Sequence, residues 1–134
     1  KYPPFEFENW AITALGGIGN AKKVGDMGID GRIFLADHLP QQRGEKTGEL
    51  GFMEKIYIIQ AKQSDKVGRP VIDAFEAAMM REDVEKGFVV GFGFTSDAER
   101  ECAAFYKRTG KKIELLTVAE ILDLEKEELA YKLA

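Results

Sequence analysis

Two spacings of apolar residues alternate along this chain. Phe7, Trp10, Ala11 and Ala14 fall at i, i+3, i+4 and i+7, the stripe of an amphipathic helix, and Gly16-Gly17 ends it. Over residues 29–36 the period becomes two: Ile29, Ile33 and Leu35 face one way, and Asp30, Arg32 and Phe34 the other. Residues 37–51 hold Pro, Gln, Gly and charge with little to bury, which predicts an exposed loop or hairpin tip. Residues 55–62 form the best strand pattern. Ile56, Ile58, Gln60 and Lys62 share one face and Tyr57, Ile59 and Ala61 the other, so both faces carry apolar groups and the strand is expected to be central.

The second half repeats the alternation. A helix is predicted to start near Pro70, with Val71, Phe75, Ala78 and Met79 as its apolar stripe. Residues 87–93, rich in Val and Phe, read as a buried strand. Ser96 and Glu99 form a capping-box pattern ahead of Ala98, Cys102 and Phe105, and Lys107, Arg108 and Gly110 close that helix. A short strand at 112–116 precedes a last helix, opened by Thr117 and Glu120 on the same capping logic. The order predicts one α/β domain over residues 1–134, a mixed central β-sheet flanked by helices.

Composition narrows the class without deciding the function. The chain is 45% apolar and 31% charged, a globular balance, and no apolar run approaches the roughly 20 residues that span a bilayer. Membrane insertion is therefore not expected. One cysteine, Cys102, excludes an internal disulfide framework and a Cys-based zinc site, and fits a cytoplasmic protein. The chain begins at Lys1 without a signal-peptide pattern, so it is expected to be a domain excised from a longer protein. The net charge of −4 opposes nucleic-acid binding at face value. Residues 1–112, however, hold 17 Lys+Arg and 17 Asp+Glu, whereas 113–134 hold 2 against 6. The acidity belongs to the tail, and the body is free to carry a basic face.

The candidate chemistry lies in Asp30 and Gln60-Ala61-Lys62. Alternation puts Gln60 and Lys62 on one face, about 7 Å apart along the strand. Two polar side chains on a buried strand are costly unless they meet partners. Asp30, within Gly28-Ile29-Asp30-Gly31 on a strand that can pair alongside, supplies one, and its glycines are expected to leave open space for a ligand. A carboxylate, an amide oxygen and an ammonium suit Mg²⁺, which keeps several waters and shares substrate phosphates. That combination serves phosphodiester hydrolysis.

These residues resemble a known family. Gly25-Asp26-Met27-Gly28-Ile29-Asp30-Gly31, followed by a hydrophobic strand ending Gln60-Ala61-Lys62, is similar to the Mrr-like restriction endonuclease domain of the PD-(D/E)XK nuclease superfamily. There an Asp opens one strand and a Q-x-K triplet closes the next. The resemblance takes in Phe7-Glu8 and the strand at 87–94, and covers most of the chain. It implies a restriction-endonuclease-like fold, an αβββαβ core with extra C-terminal α/β elements. It also implies a Mg²⁺- or Mn²⁺-dependent endonuclease acting on double-stranded DNA. Asp30, Gln60 and the Ala61 carbonyl would hold the metal. Lys62 would orient the attacking water and stabilise the transition state, and Glu8 would stand at the site edge. The 29 residues between Asp30 and Gln60 exceed the family's usual spacing, with the excess around 37–51. The 23–31 stretch further resembles domains appended to adenine-specific DNA methyltransferases, which implies a methyltransferase domain in the parent chain. A homodimer would suit double-strand cutting.

Lys22, Lys23, Lys66 and Arg69 flank the site in sequence and are candidate phosphate contacts, as is Ser96 at a helix start. Other readings compete. Asp26 and Asp30 can be turn residues beside glycine. The fold can persist as a non-catalytic DNA-binding or assembly domain. Gly91-Phe92-Gly93-Phe94-Thr95-Ser96 resembles a dinucleotide fingerprint, but Ser96 replaces its third glycine and no acidic partner on a following strand is evident. His38 lies in a polar stretch and reads as solvated. Cys102 reads as core, and Glu125, Glu127 and Glu128 as a solvated helix face.

Overall fold

The computed structural model describes residues 3–19, 28–34 and 55–133. Helix α1 (Pro4–Ala14) is followed by strands β1 (Ile18–Gly19), β2 (Gly31–Phe34) and β3 (Ile56–Ala61). Helix α2 (Arg69–Glu82), strand β4 (Lys86–Gly91), helix α3 (Ser96–Thr109), strand β5 (Lys112–Thr117) and helix α4 (Val118–Leu133) complete the order. The strands lie side by side in the order β1-β2-β3-β4-β5. β1 to β3 run antiparallel, and β3 to β5 run parallel through the crossovers α2 and α3. The expected mixed sheet flanked by helices is present, with β3 at its centre. The predicted loop at 37–51 and His38 fall outside the described residues, as do Lys22, Lys23 and Asp26.

Two cores sandwich the sheet. On one face α2 and α3 pack Ile72, Phe75, Ala78, Met79, Ala98, Cys102 and Phe105 over Ile58, Val89 and Ile113. On the other, Phe7 and Ala11 of α1 and Ile121 of α4 cover Ala61 and Val90. The sheet tolerates large helix residues at this range because it carries glycine beneath them. A Cβ on Gly87 would lie 2.5 Å from the Phe75 ring, and one on Gly31 would lie 2.8 Å from Ile12. Gly31 therefore seats α1 rather than leaving open space beside Asp30. Gly28 is needed for its conformation, with φ +79.

The caps differ in one place from the sequence expectation. Helix α3 is capped by Thr95, whose Oγ1 accepts from the Ala98 N–H at 3.1 Å, so Ser96 is the first helical residue and not the cap. Thr95 wins because its main chain is also tied to Val67, its N–H donating to the Val67 carbonyl at 3.0 Å. At α4 the predicted box forms reciprocally: Thr117 N–H donates to Glu120 Oε1 (2.8 Å) and Glu120 N–H to Thr117 Oγ1 (3.1 Å).

Between α2 and α3 lies a charge cluster. Arg69 pairs with Asp73 (3.2 Å) and with Glu101 (3.2 Å), while Arg108 binds Glu101 (3.0 Å) and lies 3.5 Å from Glu76. Glu101 is only 7% exposed. It sits three residues after Ala98 and four before Phe105, on the buried stripe itself, a spacing that the sequence reading passed over. Burial, and then the hydrogen bond and negative charge of Glu101, push the Glu76 carboxyl up to about 8 against the pull of Arg108. Its buried Oε2 meets no hydrogen-bond partner, which suits a protonated carboxyl better than a carboxylate. Glu101 is held below the usual carboxylate range by hydrogen bonds from Glu76 and Arg108. Cys102 beside them is pushed up to about 12 by burial and the neighbouring acids, so it is core and no nucleophile.

Two consequences can be measured. Gly87→Ala overpacks Phe75, and its unfolding free energy, read from denaturant unfolding, should fall by about 1–3 kcal/mol. The Glu76 proton is bound more tightly folded than unfolded, so its stabilisation is complete below about pH 4.5 and lost as pH rises through about 8. Wild-type melting temperature should decline from about pH 6 to about pH 9, and Glu76→Gln, a permanent neutral donor, should flatten that decline.

Candidate active site

The site is built where two strands of unequal reach meet. Pairing of β2 with β3 stops at Gly31–Ile59, but β3 continues through Gln60 and Ala61, paired on its other side with Val89 and Val90 of β4. Main-chain groups alternate sides along a strand. The Lys62 N–H donates to the Val90 carbonyl (2.8 Å), so the Ala61 N–H must face the β2 side, where no strand is left. Asp30 fills that gap. Its own N–H donates to the Ile59 carbonyl (2.7 Å), and its Oδ2 accepts the Ala61 N–H at 2.8 Å. The Gln60 side chain adds a second donor, Nε2 at 3.3 Å from the same Oδ2.

Asp30 therefore lies just before β2, in a bend, and not within the strand as the alternation predicted. It is half-buried, and Gln60 is 9% exposed. Lys62, one residue past the end of β3, is exposed. Helix α1 forms the opposite wall. Ile12 is seated against Gly31, and Glu8, one helical turn earlier, is thereby brought to the end of β3. A cleft of about 230 Å³ results, lined by Pro4, Phe7, Glu8, Gln60, Ala61, Lys62 and Gln63. Of the residues singled out in the sequence, Gln60, Ala61, Lys62 and Glu8 line this cleft, and Asp30 is bonded to Gln60 and Ala61 from the β2 side. Pro4 and Gln63 complete the walls and carried no sequence signal, since nothing local says which helix face meets a strand end.

The remaining candidates distribute differently. Lys66 is exposed in the loop after Lys62. Arg69 is engaged by Asp73 and Glu101. Ser96 is exposed at the start of α3.

The donor set fits a hard divalent cation. Asp30 offers a carboxylate, Gln60 an amide and Ala61 a carbonyl that leaves the strand on the Asp30 side, with the Glu8 carboxylate on the cleft. All are oxygen donors, the type Mg²⁺ and Mn²⁺ prefer. As drawn, the amide nitrogen of Gln60 turns to the carboxylate; a half-turn of the amide presents Oε1 instead. Asp73, Glu76 and Glu101 also converge, within 4.8 Å. Arg69 and Arg108 already neutralise that group, and the Glu76 carboxyl is pushed toward its neutral form, so it is a poor cation site.

Comparison with known proteins places the chain in a family. The family model for restriction endonucleases of the Mrr catalytic type matches residues 1–124. A curated relative, the type IV methyl-directed restriction enzyme EcoKMrr of Escherichia coli (strain K12), is 36% identical over 76 residues, 56% of this chain. The chain spans about 21% of that relative's length. No helix among the described residues is long and apolar enough to cross a membrane. With the family model covering nearly the whole chain over an α/β fold of the expected kind, this chain belongs to the Mrr-type restriction endonuclease family.

Proposed function

We propose that this chain is a divalent-metal-dependent endonuclease that hydrolyses phosphodiester bonds of double-stranded DNA, with Mg²⁺ or Mn²⁺ as the ion. The observation that carries the reading is the bond from Asp30 Oδ2 to the Ala61 N–H. It fixes a carboxylate to the Gln60-Ala61-Lys62 strand end, whose residues line a cleft together with Glu8. Asp30, Gln60 and the Ala61 carbonyl would hold the ion. Once bound, such an ion supplies Lewis-acid polarisation of a phosphoryl oxygen and a more acidic water.

The chain's own groups do the rest. Lys62, exposed beside the cleft, faces the phosphate and stabilises charge that grows on its oxygens as the water oxygen attacks phosphorus and the opposite P–O bond breaks. The same ammonium orients the water through a hydrogen bond. Glu8 borders the cleft from α1 and is placed to accept a proton or assist as a ligand. Lys66 and Ser96, with Lys22 and Lys23, are the proposed phosphate contacts. Arg69 would have to leave Asp73 to join them. A second reading is a DNA-binding domain without catalysis. The contact that favours it is the one between the Gln60 amide nitrogen and Asp30, which also serves as a plain strand-end cap.

Plasmid nicking in Mg²⁺ should fall about 10²–10³-fold in Lys62→Ala with folding intact. Asp30→Ala should lose cutting and also melt lower, since the Ala61 N–H loses its acceptor at a cost of about 1–3 kcal/mol. Asp30→Asn keeps that acceptor and should lose cutting while melting like wild type. Wild-type cutting by either Asp30 variant would sink the assignment. Gln60→Glu places two carboxylates together, a gross repulsion of order 4 kcal/mol at roughly 4 Å and an effective dielectric near 20. The variant should melt below wild type in EDTA and gain more from Mg²⁺ than wild type does. A variant that gains nothing from Mg²⁺ removes the metal site.

A further inference from the structure

The turn after β4 projects an aromatic ring beside this cleft. The loop leaving Lys62 and the turn leaving β4 are laced together by main-chain bonds. Phe92 N–H donates to the Ser64 carbonyl (3.0 Å), Val67 N–H to the Gly93 carbonyl (2.8 Å) and Thr95 N–H to the Val67 carbonyl (3.0 Å). Val67 and Phe94 add a parallel bridge. The contact is possible because Gly91 and Gly93 lack side chains. A Cβ on Gly91 would lie 2.5 Å from Val67 Cγ2, and one on Gly93 2.8 Å from the Asp65 carbonyl oxygen. The residue between them points away from this seam. Phe92 is 48% exposed, and its ring stacks on Phe7 with centroids 5.8 Å apart and planes at 27°. Phe7 is 3% exposed and lines the cleft with Gln60 and Lys62.

One ring face is thus held against a buried aromatic, on a turn fixed by hydrogen bonds to the loop that follows Lys62. Exposed large apolar side chains occur elsewhere on this surface, Phe34 and Tyr106 among them, so exposure by itself assigns no role. What sets Phe92 apart is its place, because its ring is stacked on the Phe7 that lines the cleft, beside which a strand with a phosphate at Lys62 would present its bases. We infer that Phe92 is a stacking platform for a nucleobase that leaves the duplex stack beside the phosphate in the cleft. Aromatic side chains hold unstacked bases through their π faces without reading sequence. Stacking on Phe7 fixes the plane of the ring, and the laced loops tie its turn to the one that follows Lys62. The Gly-Phe-Gly turn, too incomplete for a dinucleotide fingerprint, acquires a purpose in this role. The inference rests on the DNA-cutting reading only for the identity of the ligand.

The test is binding of a single-stranded oligonucleotide and of its duplex, followed by anisotropy with Ca²⁺ in place of Mg²⁺. Wild type is compared with Phe92→Ala, Phe92→Leu and Phe92→Trp, and thermal melts check folding. Phe92→Leu keeps an apolar contact with Phe7 while removing the π face. Both Phe92→Ala and Phe92→Leu should weaken binding by roughly five- to a hundredfold, and Phe92→Trp should restore it. In a Trp10→Phe background, the emission of Phe92→Trp should be quenched by DNA. Equal affinity across the series overturns the proposal, as does wild-type affinity in Phe92→Leu, which would make Phe92 only an apolar cover. Wild type that cuts plasmid in Mg²⁺ with a flat Phe92 series overturns stacking alone. A graded series without any cutting upholds stacking and removes the nuclease reading. Wild type that binds no DNA overturns both.

Discussion

A single main-chain N–H organises this protein's candidate site. Strand β3 runs two residues past the end of β2, and a strand that outreaches its neighbour leaves donors and acceptors that the half-buried setting does not satisfy cheaply. Asp30 meets the Ala61 N–H with Oδ2, and the same oxygen draws the Gln60 amide toward it. Structure and chemistry are therefore coupled at one atom. The carboxylate that closes the sheet is the one proposed to meet the cation, and the residues that follow along β3 deliver Lys62 to the same place. Gly28, Gly31 and Ile12 serve this arrangement from outside: the first turns the chain into Asp30, and the other two dock α1 so that Glu8 borders the cleft.

The parallel half of the sheet supports the site in a second way. Both crossover loops at the C-terminal ends of β3 and β4 lie at the same edge as Lys62, the usual place for function in a parallel sheet. Here they are bonded to each other, so Phe92, Thr95 and the start of α3 share a rigid frame with Lys62. The glycines at 91 and 93 permit that closeness. Behind this edge, Arg69 and Arg108 hold Glu76 and Glu101 between α2 and α3. With both arginines about half exposed, such pairs add little net stability, but they bridge the two helices and tie their contact to pH. The acids there are matched by arginines, which makes them a packing cluster, whereas the Asp30 carboxylate is bonded to the Ala61 N–H and the Gln60 amide at the strand end.

The sequence by itself determined the layers and the order of the elements apart from the two-residue β1, and it pointed to the candidate site. Period-two and period-3.6 apolar spacing depend only on local geometry, so the helix at Pro70, the central strand at 55–62 and the Thr117–Glu120 box were legible, within a residue or two at their ends. Asp30 and Gln60-Ala61-Lys62 were legible because polar groups on an otherwise buried strand demand partners. Tertiary structure alone decided where those strands stop relative to one another. Register across a sheet is a long-range property, and it moved Asp30 out of β2 and made it a cap for Ala61. It also decided that Thr95 rather than Ser96 caps α3, because Val67 binds Thr95 from a loop 28 residues away. Gly31 proved to be a seat for Ile12, and Arg69 a partner of Glu101. Each of these outcomes depends on which surface the fold brings opposite, and a chain's local pattern states what must be buried without stating against what.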